Sequence, residues 1–333
     1  MKVLPRNRVI VGDARAVLSQ LLPESVDCIV TSPPYFRLRD YGHPAQLGQE
    51  QSVGAWVEQV RSVMRAARQV LKSTGSAWLN VGDGYSRAAT FGAPAKSLLL
   101  APERLALALS ADGWIVRNRV VWVKPNPLPQ SAADRLSPTH ETIFFLTRSS
   151  RYFFDLDAIR VPHRSASRAG RPEAGEVTRR YQGGNGGLGK LKARGAVGHR
   201  NGKNPGDVWS FATAVDRLGH QATFPEALIE RPILATCPER ICVQCDQPWT
   251  RPTRILTLHT SEGARPIRKV GELARCSCFA PSRPGVVLDP FVGTGSVAAA
   301  AASSGRDWLG IDVNPRYAAH AEERLARGQG RAA

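Results

Sequence analysis

Apolar positions along this chain follow two periods, and their alternation sets the expected fold. Val26-Asp27-Cys28-Ile29-Val30 and Val286-Val287-Leu288-Asp289 are short, β-branched and nearly continuous, the pattern of strands covered on both faces. Arg8 to Asp13, Ser76 to Asp83, Trp114 to Lys124 and Trp308 to Asp312 read as further strands. Trp56, Val57, Val60, Val63, Met64, Ala67, Val70 and Leu71 recur instead at helical spacing; this is a core stripe, and Gly75 is expected to end its helix. Other helices are predicted over Ala14 to Leu22 and Lys96 to Ser110, from Pro225 onward, from Ser296 through the alanine run, and after Pro315 to about Arg327. Thr142 to Thr147 and Arg151 to Asp155 suggest a hairpin around Arg148-Ser149-Ser150. Strands alternating with helices predict an α/β protein with a doubly wound sheet.

Two strand ends carry candidate chemistry. The first run stops at Thr31-Ser32-Pro33-Pro34-Tyr35, where proline must leave the ladder. Two prolines stiffen this turn and remove two N–H donors. Hydroxyl and carbonyl acceptors beside an aromatic ring remain, a set suited to an aromatic base carrying an exocyclic amine. The second stretch, Asp289-Pro290-Phe291-Val292-Gly293-Thr294-Gly295-Ser296, is a strand, a glycine turn and a helix start. Its glycines let a cofactor approach the backbone, and the helix N-terminus offers unpaired N–H groups.

The S-P-P-Y of Ser32 to Tyr35 and the D-P-F-x-G-x-G of Asp289 to Gly295 resemble the S-adenosylmethionine-dependent DNA amino-methyltransferases, which act on N4 of cytosine or N6 of adenine. The catalytic motif comes first and the cofactor motif last, the circularly permuted order of that family's beta group. The resemblance implies a Rossmann-like methyltransferase sheet with insertions, and double-stranded DNA as the substrate. It implies catalytic roles for Ser32, Pro33, Pro34 and Tyr35, with the target base flipped out of the duplex, Tyr35 stacked on it, and Ser32 accepting from its amine. It assigns cofactor binding to Asp13, Ala14, Thr31, Phe224, Pro225, Asp289, Pro290, Phe291, Gly293, Thr294, Gly295, Ser296, Asp312 and Val313. Asp13 also suits a helix N-cap, and the two roles coexist. Ser32 favours N4-cytosine, because adenine enzymes of this family usually carry Asp there; N6-adenine is the alternative, and an inactive DNA-binding module with the same fold the second. The impostor is a dinucleotide enzyme, since Gly293-x-Gly295-x-x-Ala298 fits a loose fingerprint. That reading leaves Ser32 to Tyr35 unexplained and has only one strand after the motif.

Charge strengthens the polyanion reading. The 333 residues carry a formal charge of +17. Between Arg160 and Lys203 eleven Lys/Arg face two acids amid ten glycines, which predicts a flexible, DNA-contacting insertion. No stretch approaches the ~18 apolar residues of a membrane span, and the N-terminus lacks a signal-peptide core, so a cytoplasmic location is expected. Six cysteines in so long a chain do not suggest a disulfide framework. Cys242-x-x-Cys245 and Cys276-x-Cys278, thirty residues apart, suggest a structural zinc site, against reduced cysteines in a packed loop; Cys237 is a substitute ligand.

The resulting organisation is residues 1–159 as the catalytic half, 160–206 as the basic insertion, 207–236 and 281–333 as the cofactor half, and 237–280 as the cysteine-rich insertion. Phe36 to Gln49 reads as a mobile loop over the site. Asn126 to Pro138, Arg160 to Lys203 and the cysteine insertion are the candidate DNA readers. A restriction-modification role would add a cognate restriction endonuclease as functional partner, and a phage-type or orphan role would not. That partner, the recognition sequence and the choice between monomer and homodimer are not legible in the residues.

Overall fold

A computed structural model describes residues 4–162, 202–213, 225–249, 253–260, 263–270 and 276–329. Phe224 and most of the basic insertion (163–201) lie outside the described residues. The strands are β1 (Arg8–Val11), β2 (Val26–Thr31), β3 (Leu71–Val81), β4 (Ile115–Val123), β5 (His140–Thr147), β6 (Val208–Ser210), β7 (Ile241–Cys242), β8 (Thr253–Thr260), β9 (Gly263–Val270), β10 (Ser282–Arg283), β11 (Val286–Asp289) and β12 (Asp307–Asp312). The helices are α1 (Ala14–Gln20), α2 (Val53–Val70), α3 (Ala101–Ala111), α4 (Leu156–Ile159), α5 (Glu226–Thr236), α6 (Ser296–Ser303) and α7 (Pro315–Gln329).

Eight strands form one sheet in the order β1-β12-β11-β2-β3-β5-β4-β6. The first five are mutually parallel, and β5 runs antiparallel to both β3 and β4. The chain enters the sheet at its edge in β1, passes to β2, and only at its end returns to fill β11 and β12 between them. This is the permuted, doubly wound α/β order expected from the motifs.

Alternation along each central strand splits side chains between two cores. Val286 and Leu288 of β11 and Leu309 and Ile311 of β12 pack with Trp56, Val60, Met64 and Leu105 of α2 and α3. Val287, Trp308 and Val30 face the opposite way, onto Ile229, Ile233, Ala298 and Ala321 of α5, α6 and α7. Both faces are thus covered, which is why these strands read as continuous apolar runs.

Three expectations are corrected. Gly75 does not end α2, which stops at Val70; it sits inside β3 at an irregularity in the β2 pairing, where an added Cβ would lie 2.6 Å from Leu71 Cδ1 and 2.9 Å from the Asp27 carbonyl. Crowding, not helix termination, selects glycine there. The helix expected from Lys96 begins only at Ala101, after Leu100 adopts a left-handed conformation. Arg151 to Asp155 is no strand: β5 takes both of its partners from β3 and β4, leaving no open edge for a hairpin mate.

The connections diverge between β11 and β2. Helix α6 carries the chain from β11 to β12 on one side, whereas α2 carries it from β2 to β3 on the other. Such a switch point opens a crevice beyond the carboxyl ends of the strands. Thr31, Asp289 and Asp312 all end their strands at this crevice.

Candidate active site

The two motifs meet in space. The Thr31 hydroxyl donates to Asp289 Oδ1 at 2.6 Å across 258 residues of sequence, and the N–H of Phe291 donates to the same oxygen at 3.0 Å. Asp289 is 5% exposed. Burial pushes its carboxyl up to about 7; the hydrogen bonds from Thr31 and Phe291 oppose this, and the charge of Asp312 adds to it. The strand-end aspartate is therefore a brace between β2 and β11, held partly protonated at neutral pH.

The glycine turn wraps around the second acid. Gly293 N–H donates to Asp312 Oδ2 at 2.9 Å and Asn314 N–H to Asp312 Oδ1 at 2.8 Å. Each carboxylate oxygen keeps lone-pair capacity for a further donor. Burial raises the Asp312 pKa, against the pull of those N–H groups. Asp13 caps α1 as expected, accepting from Arg15 N–H at 3.0 Å and Ala16 N–H at 3.1 Å. Its pKa stays below the ordinary value, since these bonds and the Arg15 guanidinium outweigh burial.

A cavity of about 210 Å³ lies between the two motifs. Asp13, Ala14, Ser32, Pro33, Pro34, Tyr35, Asp289, Pro290, Phe291, Gly293, Thr294, Ser296, Asp312 and Val313 all line it. Thr31 is buried behind that wall. Gly295 does not line it: it starts α6 at φ 81°, with Ala321 Cβ 2.9 Å from where its own Cβ would be. Pro225 caps α5 without reaching the cavity wall, because that helix packs its apolar face on the sheet. The loop after Tyr35 contributes Leu38, Arg39, Tyr41, Gln46 and Leu47 to the lining, and Asn314 Nδ2 pins it by donating to the Tyr41 carbonyl at 2.9 Å.

Sequence reasoning missed the polar wall on the Ser32 side of the cavity. Ser32 Oγ donates to the Tyr35 hydroxyl at 3.0 Å, and that hydroxyl donates to Glu141 Oε2 at 2.8 Å. Asn80 Nδ2 donates to the same phenol oxygen at 2.5 Å and to Glu141 Oε2 at 2.7 Å. Lys124 pairs with Glu141 Oε1. Burial, and then the Glu141 charge, hold the Tyr35 phenol well above its ordinary pKa, so it stays protonated. An ionised carboxylate only accepts. Glu141 therefore orients the chain: Tyr35 must donate to it, Ser32 must donate to Tyr35, and Ser32 offers the cavity lone pairs alone. Asn80 could have been noticed as an amide in the apolar run Ala77 to Val81. Glu141 carried no local signal, since only the antiparallel entry of β5 brings it beside β3. The Tyr35 ring lies against Gly82, where an added Cβ would stand 2.6 Å from Cε2.

The cysteines also converge. The Sγ atoms of Cys242, Cys245, Cys276 and Cys278 all lie within 4.8 Å of one another. Cys237 is not among them; it is fully buried in the core with Cys28 and Trp308. Asp246, next to Cys245, pairs with Lys72, which pairs with Asp27 at the start of β2. Ser32, the first residue beyond that strand, lies five residues on, roughly 16 Å away at ~3.3 Å per residue. The cluster thus sits at the far end of the sheet from the cavity.

Glycine turn, strand-end acids and an acceptor wall facing one crevice define a protein that holds an adenosine-type cofactor beside a second substrate. The chain matches the family model described as DNA methylase, of the N6/N4 methyltransferase kind, over residues 26–323, and it belongs to that family. It is 30% identical to the Type II methyltransferase M.SmaI of Serratia marcescens, over 96% of this chain and 91% of that one. It is 47% identical to M.SfiI of Streptomyces fimbriatus over 52% of this chain, a match that spans only 44% of that relative's length. Among solved structures it shares its fold with PvuII DNA methyltransferase, described as cytosine-N4-specific, at TM-score 0.58 and 16% identity, covering 99% and 93% of the two chains. It also resembles a putative DNA modification methylase of Thermus thermophilus, solved with S-adenosyl-L-methionine, at TM-score 0.52 and 23% identity, covering 96% and 95%.

Proposed function

We propose that this protein is an S-adenosylmethionine-dependent methyltransferase acting on N4 of cytosine in duplex DNA. The observation that carries the reading is the Thr31–Asp289 hydrogen bond, which sets the Ser32 turn and the glycine turn on one cavity. The donor set fits the cofactor. Asp312 and Asp13 offer acceptors for ribose hydroxyls and the adenine end, Phe291 and Val313 supply apolar surface, and the strand-end carboxylates of Asp289 and Asp312 suit a cationic ligand.

S-adenosylmethionine supplies an electrophilic methyl group on sulfonium when bound. The residues prepare the nucleophile. A flipped base enters between Pro34, Tyr35 and the loop after it. Its amine is a poor nucleophile because the lone pair is delocalised into the ring. Ser32 Oγ accepts one N–H and the Pro33 carbonyl the other, and both favour a pyramidal nitrogen. The proton lost after transfer leaves to solvent. Catalysis is placement plus polar stabilisation. A neutral hydroxyl at position 32, where the adenine enzymes usually carry a carboxylate, favours cytosine, and the cytosine-N4-specific PvuII enzyme with the same fold is consistent with this.

The basic insertion serves the DNA backbone, and the enzyme works in the cytoplasm in a restriction-modification or orphan modification role, with a cognate endonuclease as partner in the first case. The four clustered cysteines take no part in the chemistry and are proposed as a structural zinc site. Incubation with labelled S-adenosylmethionine and mixed DNA, followed by nucleoside mass spectrometry, should yield N4-methylcytosine. N6-methyladenine would move the target to adenine. Intact cofactor binding with no methylated nucleoside would leave an inactive DNA-binding module.

A further inference from the structure

The cysteine-rich insertion does two things that neither the cavity nor the family reading requires. First, it gathers four free cysteines. Four thiolates around Zn²⁺ at about 2.3 Å stand ~3.8 Å apart, and the four Sγ atoms here lie within 4.8 Å of one another with no disulfide among them. The two halves are made alike. The residue after each pair is left-handed, Asp246 at φ 56° and Phe279 at φ 53°. In each, its N–H turns back to the carbonyl of the first cysteine, at 3.0 Å to Cys242 and 3.4 Å to Cys276. A two-residue ladder, Ser282 to Cys242 and Arg283 to Ile241, joins them. Ile241 is buried at the base of this knob, but the apolar side chains beside the cysteine pairs stay in solvent: Val243 is 55% and Phe279 82% exposed. Four sulfur ligands without an open position are the donor set of structural zinc sites.

Second, the knob delivers a carboxylate. Asp27 is 5% exposed at the start of β2, and Lys72 at the start of β3 is 8% exposed. Lys72 Nζ lies 2.9 Å from Asp27 Oδ1, and Arg283 NH1 lies 3.5 Å from Asp27 Oδ2. Asp27 also accepts from Val286 N–H at 2.9 Å, tying β2 to β11. Two cations around one buried carboxylate leave an excess of positive charge. Asp246 answers it, pairing with Lys72 and with Arg283 NH2 at 2.8 Å. Its place is fixed by the left-handed turn that closes the first cysteine pair.

We propose that Cys242, Cys245, Cys276 and Cys278 bind one zinc ion, and that the metal locks Asp246 in place as the second counter-ion of Lys72 and Arg283 at the root of the strand that leads to Ser32. The zinc knob is then a clasp on the methyltransferase sheet itself. Asp246 itself is half exposed, but Lys72 and Asp27 are buried, so loss of its charge leaves Lys72 and Arg283 sharing the single carboxylate of Asp27. The clasp stands apart from the methyl-transfer reading and is testable without it.

The test uses the full-length chain purified without chelators. Elemental analysis and native mass spectrometry should give one zinc per chain. A folded metal-free chain, or iron in place of zinc, overturns the metal assignment. Asp246→Asn should keep its zinc yet melt about 2 °C lower than the wild type. Removing zinc with a strong chelator should lower the melting temperature of the wild type more than that of Asp246→Asn. Equal losses in the two overturn the coupling. Cys245→Ser with Cys278→Ser should lose zinc and melt like the chelated wild type. If that variant does not fold, the wild-type metal content and the Asp246→Asn comparison still decide. Absent methyl transfer with zinc and coupling intact would count against the catalytic reading alone.

Discussion

Asp289→Asn tests how the site balances function against stability. An ordinary aspartate titrates near 3.8 and this one is pushed up to about 7, by burial first and by Asp312 in addition. A folded-state pKa above the unfolded one means that folding favours the protonated form. The associated stability is fully present below pH ~3.8 and is lost as pH rises through about 7. At about 1.4 kcal/mol per pKa unit, the ionised carboxylate costs ~4 kcal/mol of stability above neutrality. Asparagine carries no such charge and retains an oxygen to accept from Thr31 and Phe291. The stability advantage of Asp289→Asn over the wild type should therefore grow by ~2–3 kcal/mol between pH ~5 and pH ~8. Urea unfolding of the ligand-free proteins, followed by tryptophan fluorescence across that range, measures it. A difference that does not change with pH would refute the reasoning, since Asp289 would then titrate alike in the folded and unfolded chains. Cofactor affinity should fall in the same variant, because a cationic ligand is the partner that makes an ionised Asp289 worthwhile.

Ser32→Ala removes the acceptor proposed for the amine and should cut kcat by ~10²–10³-fold, with cofactor affinity unchanged in titration calorimetry. Tyr35→Phe keeps the ring but frees the Ser32 hydroxyl to point its proton into the cavity; kcat should fall ~10–100-fold with KM for DNA nearly constant, a loss of one oriented hydrogen bond. Glu141→Gln should reproduce that loss, and full activity in either variant would remove the hydroxyl chain from the mechanism. Gly295→Ala forces a side chain into a left-handed position against Ala321, which should cost ~2–3 kcal/mol in thermal or urea unfolding. Neutralising four of the eleven Lys/Arg between Arg160 and Lys203 should flatten the salt dependence of DNA binding by up to ~0.9 for every phosphate no longer neutralised, in filter-binding titrations across salt concentrations.

Much of the site was readable along the chain, because its parts are local devices. A strand stopping at two prolines, a strand running into Gly293 and Gly295, and an acid at the end of Trp308 to Asp312 each announce themselves within ten residues. Their backbone constraints travel with the residues, so a short stretch suffices. Gly75 was misread for the same reason: a glycine after a helical stripe resembles a stop signal, whereas its real cause is the approach of Asp27 from a different strand.

What the chain order could not reveal is which strands lie side by side. Placing β11 and β12 between β1 and β2 brings Asp289 to Thr31, and inserting β5 antiparallel between β3 and β4 brings Glu141 to Tyr35. These neighbours are chosen by burial of both sheet faces and by ladder pairing across hundreds of residues, neither of which leaves a mark near the residues concerned. The amino-acid sequence alone determined the kind of chemistry on offer and the two loops that bear it. Tertiary structure decided which hydroxyl donates to which, why Ser32 faces the cavity with its lone pairs, and that the cysteines grip the opposite end of the sheet.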